Sequence, residues 1–222
     1  MPRWLAYFDL LGMRDLIRRR QMAQVFDAYA TATEKLSAWR KRHPKVFQTW
    51  FSDTFIVYTN NDSALSFRAI DAVTRWFVFS LIRSHVPVRG ALACGAFYAD
   101  ARSRIYFGEA LLEAYEWGEN QDWIGYVLAP SAAARLDAVG LPPLQRLNYR
   151  AHDIPFKKPP EGGSESAVAC LLGNWIQTST GGNFLMRPLQ QMYERQSDKR
   201  VRAKYERTIA FLKQYEGRGF LP

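Results

Sequence analysis

The sequence predicts an α+β fold, a mainly antiparallel sheet with helices packed on one face. Three observations carry this. Apolar runs of strand length recur at residues 4–11, 46–51, 54–59 and 88–98. A segment with 3.6-residue apolar periodicity, Ser63 to Ser84, separates the last two. Only Ser52 and Asp53 divide runs 46–51 and 54–59, which makes them a hairpin. Strand, helix, hairpin, helix, strand is the order of a two-layer α+β unit. With 222 residues and 48% hydrophobic content the chain can fill one such core. One elaborated domain is expected, residues 1–150 as its core and 151–222 as an extension that completes it.

The first strand breaks at Gly12, and a helix follows from about Asp15 or Gln21 to Arg40. His43-Pro44 stops it, because proline disfavours the helical conformation in the residue before it. After the hairpin, Asn60-Asn61-Asp62-Ser63 reads as a loop ending in a helix cap. The helix that follows turns Leu65, Ala69, Val73, Trp76 and Phe77 to one side. Val88 to Tyr98, small and apolar, reads as a central strand whose glycines allow close approach. Gly108 to Trp117 reads as a short helix, Trp123 to Leu128 as a strand, and Ser131 to Ala138 as a helix closed by Gly140. From Leu141 the pattern weakens. Pro155 to Gly163 reads as a loop, Ala167 to Leu172 as a buried strand, and Pro188 to Glu216 as a surface helix or helical pair.

Composition narrows the function classes. Cys94 and Cys170 each sit among apolar neighbours and offer no disulfide framework, which fits a reducing cytoplasm. No apolar run approaches the roughly 20 residues that span a bilayer, and no charged lead precedes an apolar signal core. Neither secretion nor a membrane span is expected. The net charge of +9 favours an anionic partner, whether nucleic acid, polyphosphate or an anionic membrane surface. Much of the excess lies in Arg14 to Arg20 and Arg195 to Arg207, stretches that read as solvated helix faces, so no nucleic-acid function is built on them. His43, His85 and His152 lack ligand spacing, and Gly-x-x-x-x-Gly-Lys is absent. A zinc site, a histidine-driven triad and a Walker nucleotide site are therefore not expected.

Two aspartates stand alone in apolar strand runs, Asp9 in Leu-Ala-Tyr-Phe-Asp-Leu-Leu and Asp53 in Thr-Trp-Phe-Ser-Asp-Thr-Phe. A carboxylate in such a setting carries a large desolvation cost unless a cation or hydrogen-bond donors meet it. Strands lie about 4.8 Å apart, so two such acids can converge on one ion. Oxygen ligands favour magnesium or manganese.

Four blocks resemble the class III nucleotidyl cyclases, the superfamily of adenylate and guanylate cyclase catalytic domains. They are Tyr7-Phe8-Asp9-Leu10-Leu11-Gly12, Phe51-Ser52-Asp53-Thr54-Phe55, Val88-Arg89-Gly90-Ala91-Leu92-Ala93-Cys94-Gly95 and Ala133-Ala134-Arg135-Leu136, spanning about residues 4–140. Phe107-Gly108-Glu109-Ala110-Leu111 and the segment from Tyr115-Glu116-Trp117 to Trp123-Ile124-Gly125 are most similar to the bacterial pyrimidine cyclases of Pycsar antiphage systems. The resemblance implies a ferredoxin-like cyclase fold with residues 1–150 as catalytic core. It implies that Asp9, Asp53 and the carbonyl of Leu10 hold two divalent cations, Mn2+ or Mg2+. Arg89 would bind the triphosphate, and Arg135 would stabilise charge on the α-phosphate at the transition state. A head-to-tail homodimer would share two sites, the aspartates from one protomer and Arg135 from the other.

Two departures concern the substrate. Purine cyclases have an asparagine four residues before the arginine matched by Arg135, where this chain has the shorter Ser131, whose reach to the ribose would run through water. They also place a lysine or glutamate four residues before the second metal aspartate, here Thr49 followed by Trp50. An indole there would crowd a two-ring base. A pyrimidine triphosphate, UTP in preference to CTP, is therefore expected, with Thr49, Trp50 and Asp122 near the base. The cyclic product would be an antiphage signal read by a separate effector. The alternatives are an adenylate or guanylate cyclase with an unusual base pocket, and a non-catalytic basic relative that binds nucleic acid.

Overall fold

A computed structural model of the chain describes residues 1–140, 149–160, 167–170 and 184–215. Strand β1 (Pro2–Leu10) lies inside the sheet, and seven of its nine residues are buried, as expected of a strand covered on both faces. Gly12, at φ 85°, turns the chain into helix α1 (Met13–Arg18). The helix expected up to Arg40 is in fact two, because Arg20 adopts φ 57° and separates α1 from α2 (Met22–Arg42). Strands β2 (Val46–Phe51) and β3 (Thr54–Thr59) form the hairpin, with Ser52 at φ 55° in the two-residue turn. Helix α3 (Ala64–Arg83) starts at Ser63, whose hydroxyl accepts from Ser66 N. Strand β4 (Val88–Ala96) follows.

The run expected to continue through Tyr98 ends at Ala96. Beyond it β5 (Tyr98–Asp100) and β6 (Ile105–Phe107) form a separate antiparallel pair that leads into helix α4 (Glu109–Glu119). Strand β7 is only Tyr126–Leu128, and helix α5 spans Pro130–Ala138. Strand β8 (Tyr149–His152) was not foreseen. Strand β9 is described over Ala167–Cys170, while Leu171, Leu172 and residues 161–163 of the expected loop lie outside the described residues. The C-terminal segment is a pair of helices, α6 (Met186–Glu194) and α7 (Lys199–Tyr215), the second capped by Asp198, whose carboxylate accepts from Arg200 N and Val201 N. Among the described residues no helix is long and apolar enough to cross a membrane.

The described strands form a seven-stranded sheet in the order β2-β3-β1-β4-β7-β9-β8. All its neighbouring pairs are antiparallel except β4 and β7. Phe8 packs on Phe77 of α3 at 5.2 Å, so α3 covers that face, and α2 stacks on α3 through Trp39 and Trp76. Helices were expected on one face, but the other is also covered. Tyr7, which alternation turns to the face opposite Phe8, meets Tyr115 of α4 at 5.4 Å. A buried aromatic row on that face needs a cover, and the β4–β7 crossover supplies it. Segment 120–124 is held by α7, where the Thr208 hydroxyl accepts from Ile124 N at 3.0 Å and donates to Ile124 O at 2.8 Å. Phe211 packs beside it on Trp123.

At Gly90, β4 lies close against β1. A Cβ there would lie 2.3 Å from Phe8 Cδ1 and 2.5 Å from the Tyr7 carbonyl oxygen, and the second of these cannot move without distorting the sheet. Gly90→Ala should destabilise the protein by about 3 kcal/mol, at the upper end of overpacking costs, measured as the shift in urea unfolding midpoint.

Candidate active site

Asp9 faces α4 with Tyr7, near the end of β1, and is buried among Thr54 on β3 and Arg89 on β4, its partners across the two ladders. Asp53 sits in the adjoining turn, fixed by a hydrogen bond from Leu10 N to its carbonyl at 3.0 Å. The two expected metal acids are thus brought together. Burial pushes the Asp9 carboxyl up to about 6; Arg89 opposes the rise, while the charges of Glu119 and Asp53 add to it.

Arg89 is not disposed as expected. It is 5% exposed, and a guanidinium has five N–H donors. Nε and Nη2 meet Asp9 Oδ2 at 2.9 and 2.7 Å, Nη2 also donates to Glu119 Oε2 at 2.6 Å, and Nη1 donates to the carbonyls of Glu119 at 2.5 Å and Gln121 at 3.1 Å. Every donor is turned to protein, among groups of the site itself. Glu119, which closes α4, is the residue that sequence reasoning missed. Its Oε1 accepts from the Tyr7 hydroxyl at 3.0 Å, and that phenol stays protonated because burial, chiefly, and the nearby charges of Glu119 and Asp9 raise its pKa against the opposing Thr54 hydrogen bond. The available signal was an acid directly after Trp117-Gly118, on a helix whose glycine lies against the Tyr7 ring. Gln121, fully buried, donates to the carbonyls of Gly90 and Trp117 and fixes the same segment.

Two of the three expected base residues are displaced. Trp50 is the register partner of Phe55 and stacks on it, and Phe55 is the partner of Phe8, so Trp50 lies on the face opposite Asp9. Asp122 is ion-paired to Lys204 and Arg207 of α7; burial alone would raise its carboxyl, and these cations overcome that and hold it below the usual range. Thr49 does share the face of Asp9, through Ile56 and Tyr7. So does Phe51, the partner of Thr54, which is 85% exposed and was not singled out in the sequence.

Ser131 and Arg135 lie at the other end of the sheet. The Ser131 hydroxyl accepts from Cys94 N at 2.9 Å and donates to Glu113, and Arg135 pairs with Asp62 at 2.9 Å. Cys94 is the register partner of Trp4, five residues from Asp9 along β1, which is roughly 17 Å at strand rise. One protomer does not bring the two halves together.

Asp9 and Asp53 suit a divalent cation of the magnesium type. Among the described residues Asp9 Oδ1 accepts no hydrogen bond, and no three His, Cys, Asp or Glu side chains gather to hold an ion. One or two carboxylates, completed by a carbonyl such as that of Leu10, water and phosphate oxygens, is the donor set Mg2+ takes.

No family model and no curated protein matches the chain. Solved structures do. The catalytic core of a rhodopsin-guanylyl cyclase with converted specificity, in complex with ATPαS, has a TM-score of 0.60 at 10% identity, over 76% of this chain and 94% of that one. An adenylate cyclase from Trypanosoma brucei in its monomeric state has a TM-score of 0.55 at 12% identity, over 76% and 87%. The adenylyl cyclase CyaB from P. aeruginosa has a TM-score of 0.53 at 11% identity, over 76% and 93%. The fold is therefore that of the class III nucleotidyl cyclase domains.

Because the folded-state pKa of Asp9 is raised from 3.8 to about 6, the native protein holds a proton there that the unfolded chain releases. The Asp9 contribution is favourable below that window and is lost as pH rises from about 4 to about 6. Urea midpoints of wild type and Asp9→Asn should diverge across this window, the wild type losing stability relative to the variant as pH rises.

Proposed function

We propose that the protein is a nucleotidyl cyclase that converts a pyrimidine nucleoside triphosphate, UTP in preference to CTP, into its 3',5'-cyclic monophosphate and pyrophosphate. One observation carries the reaction type: Asp9 and Asp53 adjoin at one end of β1, while Ser131, on the helix that carries Arg135, is bound to Cys94, whose ladder partner Trp4 is roughly 17 Å of strand from Asp9. Such a separation suits a site completed across a head-to-tail homodimer, Asp9, Asp53 and Leu10 from one protomer and Arg135, with Ser131 one turn ahead of it, from its partner. Exposed Tyr98, Ile105, Phe107, Leu112 and Tyr115, on β5, β6 and α4, give a second copy apolar surface to cover.

In this reaction the ribose 3'-oxygen forms a bond to the α-phosphorus, the bond from that phosphorus to the bridging oxygen breaks, and its electron pair leaves with pyrophosphate while the hydroxyl proton passes to water. Two divalent cations, Mn2+ or Mg2+, would supply the Lewis acidity that lowers the hydroxyl pKa and balances the leaving group. Asp9 and Asp53 hold and orient them. The planar fork of Arg135 meets the oxygens of the α-phosphate as charge builds on them.

The pyrimidine preference is supported by Thr49, which stands where purine cyclases carry a lysine or glutamate and shares the face of Asp9. A role for the product as an antiphage signal to a separate effector is supported by the sequence resemblance. Two free, buried cysteines support a cytoplasmic setting. The second reading, an adenylate or guanylate cyclase, is favoured by the solved neighbours, which are named as such.

Purified protein incubated with each of the four labelled triphosphates and Mn2+ should yield cyclic product from UTP foremost. Product from a purine alone would favour the second reading, and none from any would defeat both. Asp53→Ala and Arg135→Ala should each be inactive alone. Mixed after dissociation, they should regain up to about a quarter of wild-type activity, since half the dimers are mixed and each carries one intact site.

A further inference from the structure

Arginine and carboxylate usually meet as a two-pronged fork, two nitrogens on two oxygens. Arg89 and Asp9 do not. Nε and Nη2 both meet Oδ2, and Oδ1 accepts no hydrogen bond among the described residues. The reason lies in the same guanidinium. Nη2 is shared with Glu119 Oε2 at 2.6 Å, and the carbonyls of Glu119 and Gln121 anchor Nη1, so the plane cannot roll toward Oδ1.

Glu119 is held in turn. The Tyr7 hydroxyl grips its other oxygen at 3.0 Å, and Lys157 Nζ donates to its carbonyl at 2.7 Å. Behind it, α7 clamps residues 122–124 through the ion pairs of Lys204 and Arg207 to Asp122 and the paired hydrogen bonds of Thr208 to Ile124. Charge points the same way. Arg89 alone would cancel Asp9; Glu119 returns a negative charge to the trio, and Asp53 adds another beside Asp9, while the Lys157 ammonium sits behind at the Glu119 carbonyl, so the group as a whole stays net negative toward a cation.

We infer that Glu119 is a positioning residue for the metal pair: it holds Arg89 on one oxygen of Asp9 and so keeps Oδ1 open to a divalent cation. This rests on the cyclase reading. Outer partners that orient metal ligands are worth about 10- to 100-fold in metal affinity, so Glu119→Gln should weaken Mn2+ binding by about tenfold or more. Tyr7→Phe, which removes the grip on Oε1 without changing charge, should weaken it less, in the same direction.

The test titrates the full-length protein with Mn2+ in the absence of nucleotide, reading free Mn2+ by electron paramagnetic resonance, with near-UV circular dichroism to establish that each variant is folded. A merely structural Glu119 would lower the folded fraction and leave the affinity of the folded remainder unchanged. Folded Glu119→Gln that binds Mn2+ as tightly as wild type overturns the inference and leaves the cyclase reading standing. Should that variant not fold, unchanged affinity in Tyr7→Phe overturns it equally. Wild type that binds no Mn2+ overturns both.

Discussion

An ionised carboxylate in the middle of a sheet loses its hydration, and a buried ion left without a partner costs several kcal/mol. Asp9 is in that position, and the fold around it is arranged to meet the cost. The β1–β4 register sets Arg89 beside it, and Gly90, next along, gives β4 room to approach Phe8 closely. The crossover from β4 to β7 returns the chain along α4 so that Glu119 and the carbonyl of Gln121 close around the guanidinium. Helix α7 then fixes the returning segment from outside. Each element reaches Asp9 through the one before it.

The same geometry explains why the chemical groups are divided between the ends of the sheet. The end near Asp9 concentrates negative charge under α4, while Arg135 at the far end is half-exposed and rests on Asp62. On the proposed reading a phosphate chain would need both. Five residues of β1, roughly 17 Å, lie between Asp9 and Trp4, the ladder partner of the Cys94 that Ser131 binds, and on that reading a two-fold partner inverted against the first would set unlike ends together.

Asp9 and Asp53 were legible in the sequence because an acid in an apolar run is anomalous on its own terms. The hairpin was legible because Ser52-Asp53 leaves no room for another connection. What could not be read were relations between strands. Whether Trp50 or Phe51 faces the acids depends on the β2–β3 and β3–β1 registers together, and a shift of one residue exchanges the two faces. Arg89 reads as a free cation because its partners, a carboxylate 110 residues from Asp9 and two carbonyls, carry no local signature. The β5–β6 pair was hidden because Val88 to Tyr98 reads as one small, apolar run whose glycines fit a central strand, and the cover provided by α4 was hidden because amphipathicity says that a helix packs, not on which side.

The span of these contacts bears on how the chain folds. Asp9 meets Arg89 across 80 residues of sequence, and Arg89 meets Glu119 across a further 30, and contacts of such reach close slowly because loop entropy is spent before they form. During synthesis the N-terminal strand emerges long before either partner exists. Until β4 has left the ribosome, β1 carries an uncompensated charge in its most apolar stretch, which discourages early burial and premature pairing of that strand. On the cyclase reading, the residue that would hold the metal thereby also bears on the order in which the strands can pair.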